Sequence, residues 1–222
     1  MNPVTHFLAG WAVANAVPGL ERRDRALVTL AGVVPDLDGL GAVAEIATLG
    51  SGRPLFWWSE YHHVLCHNLP FGLVLALAAL AFGGRLSALS QTSLTAGRRR
   101  LLAAGAALAA FHVHLACDLA GGRGPDGYEW PIPYLWPVVR DRYVSWDGQW
   151  ALNAWPNFAL TGALLVLTLY LAWRRGFSPV EMVSARGDAA FVGALRRRFP
   201  RASGDSAPRR PGGSSSPGGG PP

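Results

Sequence analysis

Residues 101–120 read LLAAGAALAAFHVHLACDLA, in which an apolar run at 101–115 ends in two histidines and is followed by an aspartate. Two further long apolar runs occupy residues 69–82 and 151–173. Only the last reaches the roughly 20 residues that cross about 30 Å of hydrocarbon. The others reach this length if their polar flanks lie at the interface or against a protein-lined cavity. We therefore predict an all-α fold, a polytopic membrane helical bundle.

The composition favours a membrane protein over an ordinary soluble domain. Of the 222 residues, 50% are hydrophobic and only 15% are charged, whereas about 25% of the residues in soluble domains are charged. A soluble helical bundle with very apolar core helices is the alternative. Two Cys residues without a C-x-x-C pair exclude a disulfide-stapled module and a zinc ribbon.

Positive charge is concentrated towards the C-terminus. Residues 174–222 hold 9 of the 20 Arg residues but only 3 of the 14 acidic residues. We predict a membrane-embedded domain at 1–175, a basic amphipathic helix within 176–199 and a disordered basic tail at 200–222, where Pro, Gly and Ser dominate. The basic helix suits an anionic membrane surface, so membrane lipids are expected partners. Nucleic acid is not, because the sequence has no basic motif interleaved with aromatic residues.

The Arg residues also predict an orientation. They follow the first apolar run, precede the run at 101–115 and close the last one. If these regions are cytoplasmic, 16 of the 20 Arg residues lie inside, as the positive-inside rule requires. The resulting topology is a four-pass core with an N-terminal hairpin and a cytoplasmic C-terminal tail. The polar ends of the apolar runs then lie together on the outer side.

Histidines and aspartates cluster at these polar ends. His114 and Asp118 lie one helical turn apart on the same face, and residues 62–67 contain three histidines. Taken alone, an i, i+4 pair is often a surface pair, and Asp36 and Asp38 could form a turn and a helix cap. Several such clusters at one end of an apolar bundle need a compensating ligand, such as a metal.

Imidazole and carboxylate ligands without thiolate suit Zn²⁺ best, with Mn²⁺ or Fe²⁺ as alternatives. The candidates exceed the four ligands of one zinc ion, so we expect two or three ions. Ions bridged by aspartate would stabilise an in-line displacement at phosphorus, which predicts hydrolysis of a phosphoester. Cys66 and Cys117 each precede a candidate by one residue and point elsewhere, so we interpret them as packing residues or as an outward-facing disulfide.

The motifs occur in the order of a known family, with Thr5-His6, VPDLD at 34–38, His62-x4-His67, His114-x3-Asp118 and WPIPYLWP at 130–137. They span about residues 3 to 137 and resemble the YdjM-like inner-membrane metal-dependent hydrolases. The resemblance implies a helical protein of the bacterial inner membrane, distantly similar to zinc-dependent phospholipase C and the P1-type nucleases. It also implies these metal ligands: His6, Asp36, Asp38, His62, His67, His114 and Asp118.

Residue 63 departs from the family pattern, which usually has Arg after the first histidine of that motif. An Arg could bind a substrate phosphate, whereas His63 could transfer a proton or bind metal, and we take it as the catalytic candidate. The segment 121–150 could form a lid in which Trp130 and Trp136 hold a lipid-like substrate, or a loop anchored by interfacial Trp residues.

Two functions of different classes follow. The first is a membrane-bound metal-dependent hydrolase that acts on a lipid or envelope-related phosphoester. The second is a non-catalytic divalent-metal-binding membrane protein, such as a carrier or sensor. A carrier is expected to place its ligands near the middle of the membrane, whereas these lie at segment ends, which favours the hydrolase. A third possibility, an adaptor with a basic tail, leaves the six histidines unexplained.

Overall fold

The computed structural model of the protein describes residues 1–84, 94–124 and 126–200. These ranges contain helices and no β-strand, which confirms the predicted all-α fold. The helices are α1 (Pro3–Ala16), α2 (Arg22–Ala31), a 3-10 helix (Val34–Leu40), α3 (Gly41–Thr48), α4 (Trp57–Tyr61), α5 (Leu69–Phe82), α6 (Ala96–Gly121), α7 (Trp155–Arg175), a second 3-10 helix (Pro179–Met182) and α8 (Ala185–Arg198). The predicted disordered tail lies outside the described residues from 201 onward, as do Arg85, Arg201, Arg209 and Arg210.

Two helices, α6 and α7, are long and apolar enough to cross a membrane. α2 and residues 34–48 form a pair bent by 47°, which adds a third candidate if the pair is one span. α5 is apolar but has only 14 residues. The hydroxyl of Thr95 caps the start of α6. Gly176, the residue after α7, ends that helix with a φ of +89°, in the left-handed region. The four-pass topology and its orientation stay predictions.

Small side chains let α1, α2, α5 and α6 pack closely, as is common in membrane bundles. At the crossing of α1 and α2, a Cβ atom on Gly10 would lie 2.9 Å from the carbonyl oxygen of Thr29. At the crossing of α5 and α6, a Cβ atom on Gly72 would lie 2.5 Å from the ring of Phe111. The buried core between these helices is rich in alanine, with Ala14, Ala31, Ala79, Ala103, Ala106, Ala107 and Ala110.

The chain after α7 folds back onto α2. Arg25 donates two hydrogen bonds to Glu181, at 2.7 and 2.8 Å, and its guanidinium carbon lies 3.8 Å from the centre of the Phe177 ring. The backbone N–H of Ser178 donates to Asp188 of α8 at 2.7 Å. The predicted basic segment 176–199 therefore contains the helix α8, fixed near the N-terminal end of α2.

The segment that connects α6 to α7 lies over the opposite end of the bundle. Its described residues, 122–124 and 126–154, are irregular apart from two isolated β-bridges. Tyr134 anchors it, because its carbonyl oxygen accepts from the N–H of Leu69 at 2.8 Å and its hydroxyl lies 2.8 Å from His112 Nε2. These contacts hold the segment above the ends of α5 and α6.

The close approach at Gly10 gives a direct test of the packing. We expect Gly10→Ala to destabilise the fold by about 1–3 kcal/mol, because the added methyl group would collide with backbone. The melting temperature of the purified protein measures this loss. Gly105→Ala, at an exposed position of α6, is the matched control, since no described atom lies within 4 Å of the added Cβ. This variant should leave the melting temperature unchanged or raise it. Equal melting temperatures for both variants would contradict the proposed packing.

Candidate metal centre

Polar side chains from separate parts of the chain meet at the end of the bundle that lies under the 122–154 segment. Four elements supply them: α1 gives His6, the first 3-10 helix gives Asp36 and Asp38, the α4–α5 connection gives His62, His63 and His67, and α6 gives His114 and Asp118. His6, His67, His114 and Asp118 are at most 2% exposed. The helical spacing of four residues places His114 and Asp118 on the same face of α6, towards the interior.

Hydrogen bonds determine which ring nitrogen of two histidines points into the site. His114 Nδ1 lies 3.0 Å from the carbonyl oxygen of Gly32. Since a carbonyl only accepts, Nδ1 carries the hydrogen, and a neutral His114 presents the lone pair of Nε2. His67 is held in the same way, because its Nδ1 lies 3.1 Å from Asp38 Oδ2. Metal-binding histidines are commonly oriented by partners of this kind.

Three acceptor atoms therefore converge. His114 Nε2 lies 3.0 Å from both His67 Nε2 and Asp118 Oδ2, and His67 Nε2 lies 3.5 Å from the same oxygen. Their lone pairs repel one another unless positive charge lies between them. Burial alone would lower the pKa of His67, but the nearby carboxylates of Asp118 and Asp38 outweigh it and raise that pKa to about 9. The site thus favours a positive charge, whether a proton on His67 or a metal cation.

Two sets of side chains have the spacing of metal ligands. Within each set, one ligand atom per residue lies within 4.8 Å of all the others. The first set is His6, Asp36, His114 and Asp118, and the second is His63, His67 and Asp118. Asp118 belongs to both, so its two oxygens could bridge neighbouring ions.

The chemistry of these groups fits a divalent metal. Among the described residues, several buried polar atoms have no hydrogen-bond partner, namely His6 Nδ1, Asp36 Oδ2, His63 Nδ1 and Asp118 Oδ2. A buried polar atom without a partner is costly, and a metal ion would satisfy such atoms. The amino group of Met1 contacts Asp118 Oδ1, so this carboxylate already accepts a cation.

Asp38 and His62 lie beside these two sets rather than within them. Both oxygens of Asp38 are engaged, one 2.9 Å from His62 Nδ1 and the other 3.1 Å from His67 Nδ1. The second oxygen also accepts from the backbone N–H of Cys66 at 3.3 Å. This geometry makes Asp38 the carboxylate that orients His67. A direct metal bond from Asp38 or His62 stays a prediction.

His63 has an unusual backbone conformation for a histidine. Its φ is +65°, in the left-handed region that non-glycine residues rarely adopt. The ring is buried, with its centre 4.4 Å from that of His67 and 5.1 Å from that of Trp130. Burial, together with the charge of His67, holds the pKa of His63 well below its usual range. His63 is therefore neutral near pH 7 and can accept a proton or bind a metal.

An open cavity of about 750 Å³ leads to the histidines. Trp130, Trp58 and Tyr128 form aromatic parts of its wall. Trp58 was not predicted as a site residue, yet its ring stacks on His62 at 3.8 Å. The spacing of four residues between Trp58 and His62 is the signal that could have indicated it. Trp136, predicted beside Trp130, is not among the described residues that line this cavity.

The two cysteines are free thiols and lie outside both ligand sets. Burial, with the nearby charge of Asp38, raises the pKa of Cys66 to about 11, so this thiol stays protonated near neutral pH. Among the described residues, the two candidate ligand sets therefore contain only imidazole and carboxylate groups, as the sequence predicts.

One comparison with known proteins identifies a family. The family model described as "YdjM inner membrane protein" matches residues 1–185, which confirms the resemblance seen in the motifs. No curated protein and no solved structure matches the chain significantly. The similarity to phospholipase C and to P1-type nucleases stays a prediction.

His112 and His114 provide a matched pair for testing the centre. We expect His114→Ala to lower the affinity for divalent metal more than about 100-fold, because even residues that only orient ligands contribute 10- to 100-fold. His112→Ala should leave metal binding unchanged, since its ring bonds the carbonyl oxygen of Leu108 and the hydroxyl of Tyr134 instead. Elemental analysis of the dialysed proteins measures the bound metal. Equal metal content in the two variants would contradict the proposed centre.

Proposed function

The chain belongs to the YdjM inner membrane protein family, and from that premise we propose that it is a membrane-bound metal-dependent hydrolase that cleaves a phosphoester. The observation that carries this proposal is the convergence of His67 Nε2, His114 Nε2 and Asp118 Oδ2 in a cluster whose further members Asp36 and His63 line an open cavity. A polar cluster that only stabilises the fold is expected to have its buried polar atoms hydrogen-bonded and closed off from solvent, which is not the arrangement here.

Zn²⁺ is the proposed metal, because imidazole and carboxylate groups without thiolate suit it, with Mn²⁺ or Fe²⁺ as alternatives. One ion would be held by His6, Asp36, His114 and Asp118, and a second by His67 and Asp118, which leaves His63 of the second set free to transfer a proton. When bound, divalent ions would polarise a phosphoryl oxygen and lower the pKa of a water molecule. The shared carboxylate of Asp118 would fix the distance between the two positions.

The remaining residues of the site have separate tasks in the proposed reaction. Asp38 orients His67 and His62 by accepting from their Nδ1 atoms. His63 lines the cavity and is neutral near pH 7, so it can accept a proton from the attacking water. The rings of Trp130 and Trp58 form a wall against which an apolar part of the substrate could pack.

The proposed orientation places this site on the outer side of the inner membrane and the C-terminal segment in the cytoplasm. α6 supports it, because Arg98 near its start and Asp118 near its end are 20 residues apart, or about 30 Å along a helix. That distance is about the thickness of the hydrocarbon layer. α7 runs the other way, since Asn157 near its start bonds Gly121 and its last turn contains Arg174 and Arg175.

Hydrolysis by the metal-loaded protein tests this proposal. We expect wild type to cleave bis-p-nitrophenyl phosphate only when divalent metal is present. His63→Ala should lower kcat by about 10²- to 10⁴-fold, the usual contribution of a positioned proton-transfer group. Release of p-nitrophenol and the metal content are measured on the same samples.

Glu60→Gln is the control, because Glu60 is an exposed acid on α4 close in sequence to His63, and it should keep full activity. If wild type binds metal but cleaves neither phosphodiesters nor phosphomonoesters, the carrier or sensor is the better description. If His63→Ala loses metal in parallel with activity, His63 acts as a ligand rather than as the proton acceptor.

A further inference from the structure

A second cavity, of about 810 Å³, lies beside the metal centre and is almost wholly apolar. Its volume falls in the range of about 300–1,000 Å³ that is typical of small-molecule sites. It lies between α3, which contributes Val43, Ala44 and Ala47, and α4, which contributes Trp57 and Tyr61. We call this cavity the α3–α4 groove.

We propose that the α3–α4 groove binds an acyl chain of the substrate while the phosphoester of the same molecule lies at the metal centre. This inference rests on the proposed function and specifies its substrate class as a lipid phosphoester. Three features carry it: the groove lies between two helices in close contact, it adjoins the metal centre, and its open side belongs to an apolar surface.

The walls of the groove are fixed by two contacts between α3 and α4. A Cβ atom on Gly41 would lie 2.9 Å from the backbone of Trp57, so only glycine allows the two helices to approach this closely. Glu45 accepts from the backbone N–H of Ser59 at 3.1 Å and from its hydroxyl at 2.8 Å. The groove thus lies between two helices that contact each other through Gly41 and Glu45.

The groove adjoins the metal centre at two residues of the first 3-10 helix. Leu40 lines both the groove and the cavity that leads to the histidines. Asp38 lines the groove and contacts His62 and His67. The apolar and polar parts of one amphiphilic molecule would therefore find matching surroundings on the two sides of residues 38–40.

The open side of the groove belongs to an apolar surface. α3 is part of the bent pair with the composition of a membrane segment. Its Val43 and Ile46 are 68% and 71% exposed, an exposure that is costly in water and favourable against lipid. Among the described residues that line the groove, Asp38 alone is charged, so an anionic headgroup would find no partner there. These features favour an acyl chain as the occupant.

Photo-crosslinking tests the inference without requiring catalysis. The full chain in lipid nanodiscs is irradiated with a phosphatidic acid that carries a diazirine near the end of one acyl chain, and labelled peptides are mapped by mass spectrometry. We expect labelling to concentrate in residues 37–65. The same diazirine chain on a diacylglycerol, which has no phosphate, should label this region about tenfold less, because the metal centre would not retain it.

Two tryptophan substitutions separate the groove from the rest of the lipid-facing surface. Ala44→Trp would fill the groove and should reduce the labelling of residues 37–65 about tenfold, the equivalent of roughly two methylene groups left unburied. Ala163→Trp on the exposed face of α7 is the control and should leave the labelling unchanged. Metal content measured on both variants shows that the centre is still folded.

Hydrolysis assays then distinguish lipid binding in the groove from phosphoester cleavage at the metal centre. Ala44→Trp should slow cleavage of a long-chain phospholipid about tenfold while leaving cleavage of bis-p-nitrophenyl phosphate unchanged. Labelling that is equal for both probes, or unchanged in Ala44→Trp, would overturn the groove and indicate ordinary membrane lipid at this surface. Absence of hydrolysis with groove labelling intact would instead contradict the proposed enzyme and leave lipid binding supported.

Discussion

The buried carboxylate of Asp118 is the constraint on which the site depends. A charged group this deep among apolar helices is unstable unless positive charge lies next to it. Its Oδ1 contacts the amino group of Met1, whereas its Oδ2 faces the Nε2 atoms of His114 and His67, whose Nδ1 atoms are engaged by Gly32 and Asp38. This arrangement could hold a metal cation at the point where the two ligand sets share one residue.

The helix packing explains why ligands far apart in the sequence meet there. α6 begins at the arginine cluster and ends at the site, and α1, α2 and α5 pack along it with small residues at their crossings. Their site-facing ends therefore lie at a common level. The irregular segment after α6 closes over this end and is fixed at Tyr134. The same architecture that suits a membrane thus places the polar groups at one rim.

The sequence indicated the helical fold and the main ligand residues, because apolar runs and the i, i+4 spacing of His114 and Asp118 are local signals. Local signals could not assign Asp38, whose role depends on two histidines more than twenty residues away. They also could not separate Trp130 from Trp136, since an irregular segment has no period that predicts which side chain faces inward. The left-handed conformation of His63 and the α3–α4 groove arise from tertiary packing and have no sequence signature.

X-ray absorption spectroscopy of the metal-loaded protein tests the central claim most directly, because it identifies the atoms bound to the metal. A centre built on Asp118 predicts nitrogen and oxygen ligands at about 2.0–2.2 Å with imidazole scattering, and a second metal about 3.5–4 Å away when both sets are filled. The spectrum of Asp118→Asn should lose the metal–metal signal. Sulfur ligands at about 2.3 Å, or a spectrum that Asp118→Asn does not change, would contradict the account.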